Sequence, residues 1–467
     1  MRYLSTRGGI APLPFKDAVM MGLARDGGLL LPERLPSVDD DALARWQGMS
    51  YQQLALEVLS LFIDDIPRQD LEELIEQAYA SFDHPQVTPL RREGDLYILE
   101  LFHGPTLAFK DVALQLLGNL FSYILAERGG FMNILGATSG DTGSAAIAGV
   151  RGKKGINIFI LHPHGRTSPL QALQMTTVLD ANVFNIAVRG TFDDAQSIVK
   201  ALFNDLHFRD QHQLGAVNSI NWARVLAQVV YYVYAYLKLR KNGQASVDFA
   251  VPTGNFGDIF AGYIAKQLLP RGCLHTLILA TNANDLLTRF VVNGDYSKGQ
   301  VISTSSPSMD IQIASNFERY LFYLHEMNGE KVRADMEQFS TTGMLDLSRF
   351  RERTAQDMRS HSVSEQETIA TIAQFHKAHG YLLDPHTAVG VKAAQVCGDG
   401  ARPVVCLATA HPAKFGAAVQ QAIGAEPPLP PALAELEKRE SRCEILNAEV
   451  DEVRRFVASH ALRGLNT

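Results

Sequence analysis

A lysine at the end of an apolar run is the first residue whose setting points to chemistry. Lys110 follows Ala108 and Phe109, and a predicted strand at residues 96–101 lies shortly before it. Burial of a charged amine costs free energy unless the amine is neutral or covalently engaged, and a desolvated lysine is the amine that forms Schiff bases with carbonyl compounds. The alternative is a lysine whose aliphatic stem packs while its ammonium group reaches water.

Two glycine-rich segments stand where a predicted strand gives way to a predicted helix. Glycine lets the backbone approach a ligand, hydroxyl groups donate, and a helix N-terminus favours a carboxylate or a phosphate. The alternative is an ordinary helix start with turn glycines, and neither segment has the Walker A lysine or the GxGxxG spacing of nucleotide-binding folds. The candidate residues are Thr138, Ser139, Gly140, Asp141, Thr142 and Gly143 in the first segment, and Gly254, Asn255, Phe256 and Gly257 in the second.

A third candidate for anion binding lies where the predicted strand at residues 215–217 gives way to a helix. Asn218, Ser219 and Arg224 combine an amide, a hydroxyl and a guanidinium group near the helix start. Such a set can bind phosphate through charge-assisted hydrogen bonds. The alternative is a solvated arginine on an ordinary helix.

The elements that must position these residues follow a repeating pattern from about residue 96 onward. Runs rich in valine and isoleucine, without polar alternation, are typical of strands covered on both faces, and helical periodicity separates most of them. The number of strands predicts an α/β protein with two doubly wound domains and a cleft between them. Residues 1–95 are predicted to form a separate, mainly helical domain, with a capping box at Ser50 and Gln53. The predicted strands cover residues 96–101, 132–135, 156–161, 183–188, 215–217, 247–251, 274–279 and 404–408.

The composition argues against several classes of protein. Fifty acidic and 43 basic residues give a formal charge of −7 without a basic stripe, which argues against a nucleic-acid partner. The four cysteines are far apart and lack CxxC spacing, so neither a disulfide framework nor a metal site is predicted. No apolar run approaches the roughly 18–20 residues of a membrane helix, and the N-terminus lacks a signal-peptide pattern. We therefore expect a soluble, cytoplasmic protein without a membrane partner.

The segment around Lys110 resembles a known family. The string FHGPTLAFKD at residues 102–111 is similar to the pyridoxal-phosphate (PLP) lysine segment of threonine synthases, which belong to the fold type II PLP enzymes related to the tryptophan synthase β subunit. Further strings resemble the same family in the same order, so that the resemblance covers essentially the whole chain. They are RYLSTRG at residues 2–8, DGGL at 26–29, SMDIQ at 308–312, SNFER at 315–319, PHTAVG at 385–390 and ATAHPAKF at 408–415.

The resemblance implies a domain organisation. Residues 1–95 would form the N-terminal domain of the longer bacterial and fungal threonine synthases. Residues 96–115 and 215–467 would form the large PLP-binding domain, and residues 116–214 the small α/β domain. The longer members of the family suggest a monomer, with a dimer as the alternative.

The resemblance also implies roles for the candidate residues. Lys110, next to Phe109, would hold PLP as a Schiff base and then serve as acid and base. Residues 254–257 would bind the cofactor phosphate, and Thr409 would place a hydroxyl against the pyridine nitrogen. Residues 138–143 would hold the bound amino acid, and Asn218, Ser219 and Arg224 the substrate phosphate. Asp141 stands where many relatives in the wider superfamily have asparagine, and a carboxylate can only accept hydrogen bonds.

The reaction implied is the conversion of O-phospho-L-homoserine and water to L-threonine and phosphate by β,γ-replacement. A PLP-dependent phospho-lyase that releases 2-oxobutyrate is an alternative, because the phosphate-binding residues would serve it equally well. A dehydratase would not need those residues. A catalytically silent PLP-fold protein would be expected to lack Lys110, and a nucleotide-binding regulatory protein would be expected to carry the glycine fingerprint.

Overall fold

Strands and helices alternate through most of the chain in the computed structural model, which describes residues 1–464. The strands are β1 (Tyr3–Ser5), β2 (Leu30–Pro32), β3 (Leu90–Glu93), β4 (Leu96–Glu100), β5 (Met132–Ala137), β6 (Ile156–Pro163), β7 (Val183–Arg189), β8 (Leu214–Gly215), β9 (Val247–Pro252), β10 (Leu274–Thr281), β11 (Asp295–Ser297), β12 (Met344–Asp346), β13 (Met358–Ser362), β14 (Val404–Ala408) and β15 (Glu444–Asn447). The α-helices are α1 (Phe15–Met21), α2 (Asp40–Trp46), α3 (Tyr51–Ser60), α4 (Arg68–Tyr79), α5 (Lys110–Arg128), α6 (Asp141–Val150), α7 (Pro169–Thr176), α8 (Phe192–Asn204), α9 (Leu206–Gln211), α10 (Trp222–Lys241), α11 (Gly257–Leu268), α12 (Leu286–Asn293), α13 (Phe317–Leu324), α14 (Gly329–Thr342), α15 (Arg351–Asp357), α16 (Glu365–His379), α17 (Pro385–Cys397), α18 (Gly416–Ile423), α19 (Pro431–Ala434) and α20 (Val450–His460).

The first of two units is built around a six-stranded sheet. It comprises Met1–Ile75, Phe82–His103 and Ser219–Pro427. The strand order is β13-β10-β9-β14-β4-β3, and all neighbours are parallel except β3 and β4. Every residue of β9 and β14 is buried, and apart from Asp248 both strands are apolar, as expected for strands covered on both faces.

The second unit contains a five-stranded parallel sheet in the order β15-β7-β6-β5-β8. It comprises Glu76–Ser81, Gly104–Asn218 and residues 428–464. The family resemblance placed residues 104–115, 215–218 and 428–464 in the large domain, whereas the structure groups them with the second unit. The backbone of β15 extends the sheet beside β7, and Val453 and Val457 of α20 are buried in the same core as Ile198.

The N-terminal residues combine helices with a small antiparallel sheet of β1 and β2. The predicted capping box is confirmed at the start of α3. The Ser50 side chain accepts from the Gln53 backbone, and the Gln53 side chain accepts from the Ser50 backbone. Within residues 1–464, no helix is both long and apolar enough to cross a membrane.

Candidate active site

A buried carboxylate fixes the turn that leads into Lys110, the first residue of α5. The side chain of Asp111 is fully buried and accepts hydrogen bonds from the backbone N–H and the hydroxyl of Thr106, each at 2.8 Å. The amide of Gln174 donates to the carbonyl of Thr106 at 3.0 Å. Leu107, inside the turn, has a left-handed φ of 58°, a conformation that persists in a non-glycine residue when its surroundings enforce it. The lysine therefore emerges from a tightly held turn.

The Lys110 amine is largely buried and lies beside a carboxylate. Its side chain is 12% exposed, and Nζ is 3.6 Å from Oδ2 of Asp141, whose side chain is 5% exposed. The same nitrogen lies 5.6 Å from the centre of the Phe109 ring. The Lys110 amine is therefore largely desolvated, in contrast to a lysine whose ammonium group is exposed to water.

Asp141 begins α6 and belongs to the first glycine-rich segment. The Thr138 hydroxyl oxygen accepts from the backbone N–H groups of Gly140, at 3.0 Å, and Gly143, at 2.9 Å. The side chain of Gln171 donates to Oδ1 of Asp141 at 2.8 Å. A Cβ at Gly140, where φ is 155°, would lie 2.5 Å from Cδ of Gln171, so only glycine fits there. Ser139 is exposed and Thr142 half-buried, so their hydroxyl groups are accessible to a ligand.

Close packing of α5 and α6 places Lys110 and Asp141 next to each other. A Cβ at Gly118 would lie 2.0 Å from the carbonyl oxygen of Gly149, so the helices touch through their backbones. The Gln115 side chain donates to the carbonyl of Ala145 at 3.3 Å across the same interface. Because each candidate residue begins one of the helices, the spacing of the helices sets the distance between amine and carboxylate.

The second glycine-rich segment lies in the first unit, between β9 and α11. Phe256 precedes α11 with a left-handed φ of 63°. A Cβ at Gly254 would lie 2.7 Å from the carbonyl oxygen of Ser308, which requires glycine at this position. Asn316 donates from its backbone and from its side chain to the Asn255 carbonyl, at 3.0 and 3.1 Å. The first N–H groups of a helix have no partner within it, so this turn presents donors suited to a phosphate.

An acid is buried directly behind this turn. Asp258 in the first turn of α11 accepts hydrogen bonds from the hydroxyl groups of Tyr231 and Tyr232. Burial raises the pKa of Asp258 to about 6 despite these two bonds. The folded protein therefore binds a proton here at a pH at which the unfolded chain has lost it.

This difference predicts a pH-dependent effect of Asp258→Asn. Wild type loses stability as the pH rises from the unfolded value of 3.8 to about 6, because only the unfolded chain is ionised in that range, and the loss is complete once the folded acid also ionises. The asparagine variant does not ionise. The free energy of unfolding of the variant relative to wild type should therefore increase by about 2 kcal/mol between roughly pH 4.5 and 7.5. Urea unfolding across this range measures it. The exposed Asp95→Asn is the control, and a constant difference for Asp258→Asn would contradict the interpretation.

The predicted substrate-phosphate residues are divided between the units. Ser219 begins the last part of the first unit, and its hydroxyl lies 3.3 Å from that of Ser315. Arg224, in the first turn of α10, is 5% exposed, and burial lowers its pKa to about 10, so it remains a cation at neutral pH. Asn218 is exposed and belongs to the second unit.

Thr409, which follows β14, is backed by a buried network that starts at Asp384. Asp384 accepts from the Thr387 hydroxyl and, at 2.9 Å, from the backbone N–H of His386. The Thr387 oxygen in turn accepts from the Thr409 backbone at 3.3 Å, and the His386 Nε2 from the Ser308 backbone at 3.3 Å. One carboxylate thus fixes both Thr409 and the segment that contacts Gly254.

The structure brings the predicted residues together in two groups. Lys110 lies with the first glycine-rich segment in the second unit. Ser219, Arg224, Thr409 and residues 254–257 lie in the first unit. Sequence reasoning gave no role to the residues that hold these groups in place, although the Asp-Pro pair at 384–385 is a recognisable helix start. These supporting residues are Asp111, Gln171, Gln174, Asn316, Arg319, Asp384, His386 and Thr387.

The chemistry of the residues present fits PLP. An aldehyde requires an amine, which Lys110 supplies in a largely buried setting. A phosphate requires backbone donors, which the turn before α11 supplies. The pyridine nitrogen requires a polar partner, and within residues 1–464 no hydrogen bond engages the hydroxyl of Thr409, whose residue is 6% exposed.

Comparison with known proteins identifies the family. The chain matches the family models "Threonine synthase N terminus" at residues 2–79, "Pyridoxal-phosphate dependent enzyme" at residues 82–349 and "Threonine synthase, C-terminal" at residues 387–457. It is 49% identical over 470 residues to a threonine synthase of Pseudomonas aeruginosa, with 99% of each chain covered. The crystal structure of a PLP-bound threonine synthase from Brucella melitensis matches with a TM-score of 0.96 at 47% identity, over 99% of both chains. That of a yeast threonine synthase matches with a TM-score of 0.94 at 42% identity, over 98% of both. The chain therefore belongs to the threonine synthase family of pyridoxal-phosphate-dependent enzymes.

Proposed function

We propose that the protein converts O-phospho-L-homoserine and water to L-threonine and phosphate with PLP as its cofactor. The observation that carries this proposal is the largely buried Lys110 amine, 3.6 Å from the Asp141 carboxylate, in a chain of this family. When bound, PLP supplies an electron sink for negative charge that develops on the substrate carbons.

Lys110 is proposed to hold the cofactor and then to move protons to and from the substrate carbons. The turn fixed by Asp111 keeps the amine within a narrow range of positions, which favours transfer at one particular carbon. The Asp141 carboxylate orients the amine from one side, and Gln171 in turn fixes that carboxylate. The low exposure of both side chains excludes water that would compete for the proton.

Residues 138–143 are proposed to hold the amino-acid part of the substrate. The N-terminus of α6 favours the negative charge of an α-carboxylate, and the accessible hydroxyl groups of Ser139 and Thr142 are available to donate to it. The Thr138 oxygen accepts two backbone N–H groups, so Thr138 primarily shapes the segment. A carboxylate held here fixes the orientation of the reacting carbons.

Asn218, Ser219 and Arg224 are proposed to bind the substrate phosphate. Arg224 remains cationic at neutral pH despite its burial, and a desolvated cation stabilises the charge of a departing phosphate more strongly than a solvated one. Residues 254–257 are proposed to bind the phosphate of the cofactor. The turn they form requires glycine at position 254 and offers backbone donors in place of a cationic side chain.

We further propose that the protein works in the cytoplasm as a monomer, without a nucleic-acid or membrane partner. The formal charge of −7, spread along the chain, supports the part of this proposal that concerns nucleic acid. Sedimentation of the purified protein tests the oligomeric state.

Product analysis tests the proposed reaction directly. Purified protein, PLP and O-phospho-L-homoserine should yield threonine and phosphate in equal amounts, because water replaces the phosphate group without loss of the amine. Phosphate together with 2-oxobutyrate and ammonia, in the absence of threonine, would contradict the synthase and establish a phospho-lyase. Protein that binds PLP but releases no phosphate would contradict the substrate.

A further inference from the structure

Arg319 of α13 is the most deeply buried charged side chain that the proposed mechanism does not use. Its exposure is 0%, and its guanidinium group makes four hydrogen bonds. Burial lowers the pKa of Arg319 to about 9, so the group is still a cation at neutral pH. A cation buried at this depth is costly unless its donors are satisfied, so its partners are informative.

Three segments of the first unit meet at this guanidinium group. Nε and one terminal nitrogen donate to the Leu30 carbonyl at 3.0 and 2.8 Å, and the same terminal nitrogen donates to the Ile220 carbonyl at 2.6 Å. The other terminal nitrogen donates to the side-chain oxygen of Asn316. The planar fork of arginine can satisfy such acceptors together, whereas a lysine ammonium cannot reproduce the geometry.

Two of these segments are linked to the proposed phosphate sites. Ile220 directly follows Ser219, the residue proposed for the substrate phosphate. Asn316 donates to the Asn255 carbonyl from its backbone at 3.0 Å and from its side chain at 3.1 Å, in the turn proposed for the cofactor phosphate. Arg319 therefore fixes the spacing between both turns.

The third segment belongs to the N-terminal sheet, and the neighbouring residue strengthens the same attachment. Glu318 accepts from the Thr6 hydroxyl at 2.5 Å and from the Arg7 guanidinium at 3.0 and 2.9 Å. Leu30 pairs with Ser5 in that sheet, so Arg319 contacts β2 and Glu318 contacts the two residues that directly follow β1. The start of α13 thus ties the N-terminal sheet to the two phosphate-binding turns.

We propose that Arg319 is a positioning residue that sets the cofactor-phosphate turn and the substrate-phosphate turn against the N-terminal sheet. The inference rests on the proposed function for the identity of the two phosphates. It gives the N-terminal residues a specific part in ligand binding, through Leu30. Arg319 touches neither ligand in this proposal and acts through Ile220 and Asn316.

The test compares Arg319→Lys and Arg319→Met with wild type in three measurements. These are the PLP dissociation constant by equilibrium dialysis, the inhibition constant of inorganic phosphate, and kcat and KM for O-phospho-L-homoserine at saturating PLP. Both variants should weaken PLP and phosphate binding and raise KM by at least about tenfold, because donors held a fraction of an ångström out of place lose most of their binding energy. The loss in kcat should be smaller. Arg319→Lys retains the cation and carries the test if Arg319→Met does not fold.

Two further variants separate positioning from general loss of stability. Arg402→Met removes another arginine of the same unit, one that pairs with the buried Asp248 at 3.4 Å. It should leave the PLP dissociation constant, the phosphate inhibition constant and KM unchanged. Asn316→Ala removes the side-chain hydrogen bond to Asn255 and the acceptor of one Arg319 nitrogen, while the Arg319 bonds to Leu30 and Ile220 remain. It should therefore weaken PLP binding more than phosphate inhibition. Arg319 variants whose binding constants match those of Arg402→Met would overturn the proposal, even if they unfold more readily.

The failure of the inference and the failure of the proposed function give different results. If wild type binds PLP and phosphate but forms no threonine, the reaction is wrong, and the PLP measurements still decide the role of Arg319. If wild type forms threonine and the Arg319 variants bind both ligands normally, the inference alone is overturned.

Discussion

Lys110→Ala is expected to abolish threonine formation, with a loss of at least about three orders of magnitude in kcat, because one amine both holds the cofactor and moves protons. The fold should be retained, since the lysine begins α5 and its neighbour Asp111 holds the preceding turn without it. Phosphate and threonine assays at saturating PLP measure the loss. Borohydride reduction followed by mass analysis should show PLP attached to wild type and none attached to the variant.

A second lysine of the same unit provides the matched control. Lys153 is half-buried, and its amine donates to the Asn119 side chain at 2.6 Å, away from the candidate site. Lys153→Ala should retain covalently attached PLP and wild-type turnover within about twofold. Lys110→Arg keeps a cation beside Asp141 without a reactive amine, and it should be as inactive as the alanine variant. Substantial threonine formation by either Lys110 variant would contradict the role proposed for Lys110.

The central strands were predictable because a strand covered on both faces consists mostly of apolar residues. The runs at residues 156–161, 247–251 and 404–408 correspond to β6, β9 and β14, every residue of which is buried. The number of runs also indicated two sheets. Burial on both faces favours apolar residues, and Asn157 and Asp248 are the polar exceptions in these three runs.

Two of the edge strands could not be predicted in the same way. β13 reads Met-Arg-Ser-His-Ser, and β15 reads Glu-Ile-Leu-Asn; both are edge strands with polar, partly exposed residues. Such an edge strand forms because the neighbouring strand of the sheet offers unpaired backbone groups. That neighbouring strand is distant in the chain, so the local sequence pattern carries no information about it. The assignment of residues 428–464 to the second unit depends on β15 for the same reason.

Residues proposed to contact ligands were easier to find than those that hold them. Lys110 and the two glycine-rich segments stand out because an apolar run ending in lysine, or glycines before a helix, are locally unusual. Arg319 is an arginine in an ordinary helical pattern, and its significance comes from Leu30, Ile220 and Asn316. Leu30 and Ile220 are far from Arg319 in the sequence and contact it only in the folded chain. The supporting network could therefore be found only from the structure.

Gly118→Ala is expected to damage both stability and turnover, because a Cβ there would lie 2.0 Å from the carbonyl oxygen of Gly149. The obstructing atom is backbone, so the helices α5 and α6 must separate. Overpacking of this kind should lower the free energy of unfolding by about 3 kcal/mol. Displacement of Lys110 relative to Asp141 should lower kcat by roughly tenfold to a hundredfold. Urea unfolding and steady-state kinetics at saturating PLP measure the two effects.

The interpretation requires that both effects arise from the contact between the helices. Gly149→Ala approaches the same contact from α6, where a Cβ would lie 2.5 Å from the carbonyl oxygen of Leu114, and it should reproduce both losses. Gly130→Ala places a Cβ 3.4 Å from a methyl group of Leu125, which is ordinary contact, and should change neither quantity. If Gly118→Ala and Gly149→Ala lose stability but keep wild-type kcat, the spacing of α5 and α6 does not set the geometry of the amine, and the turn held by Asp111 must do so alone.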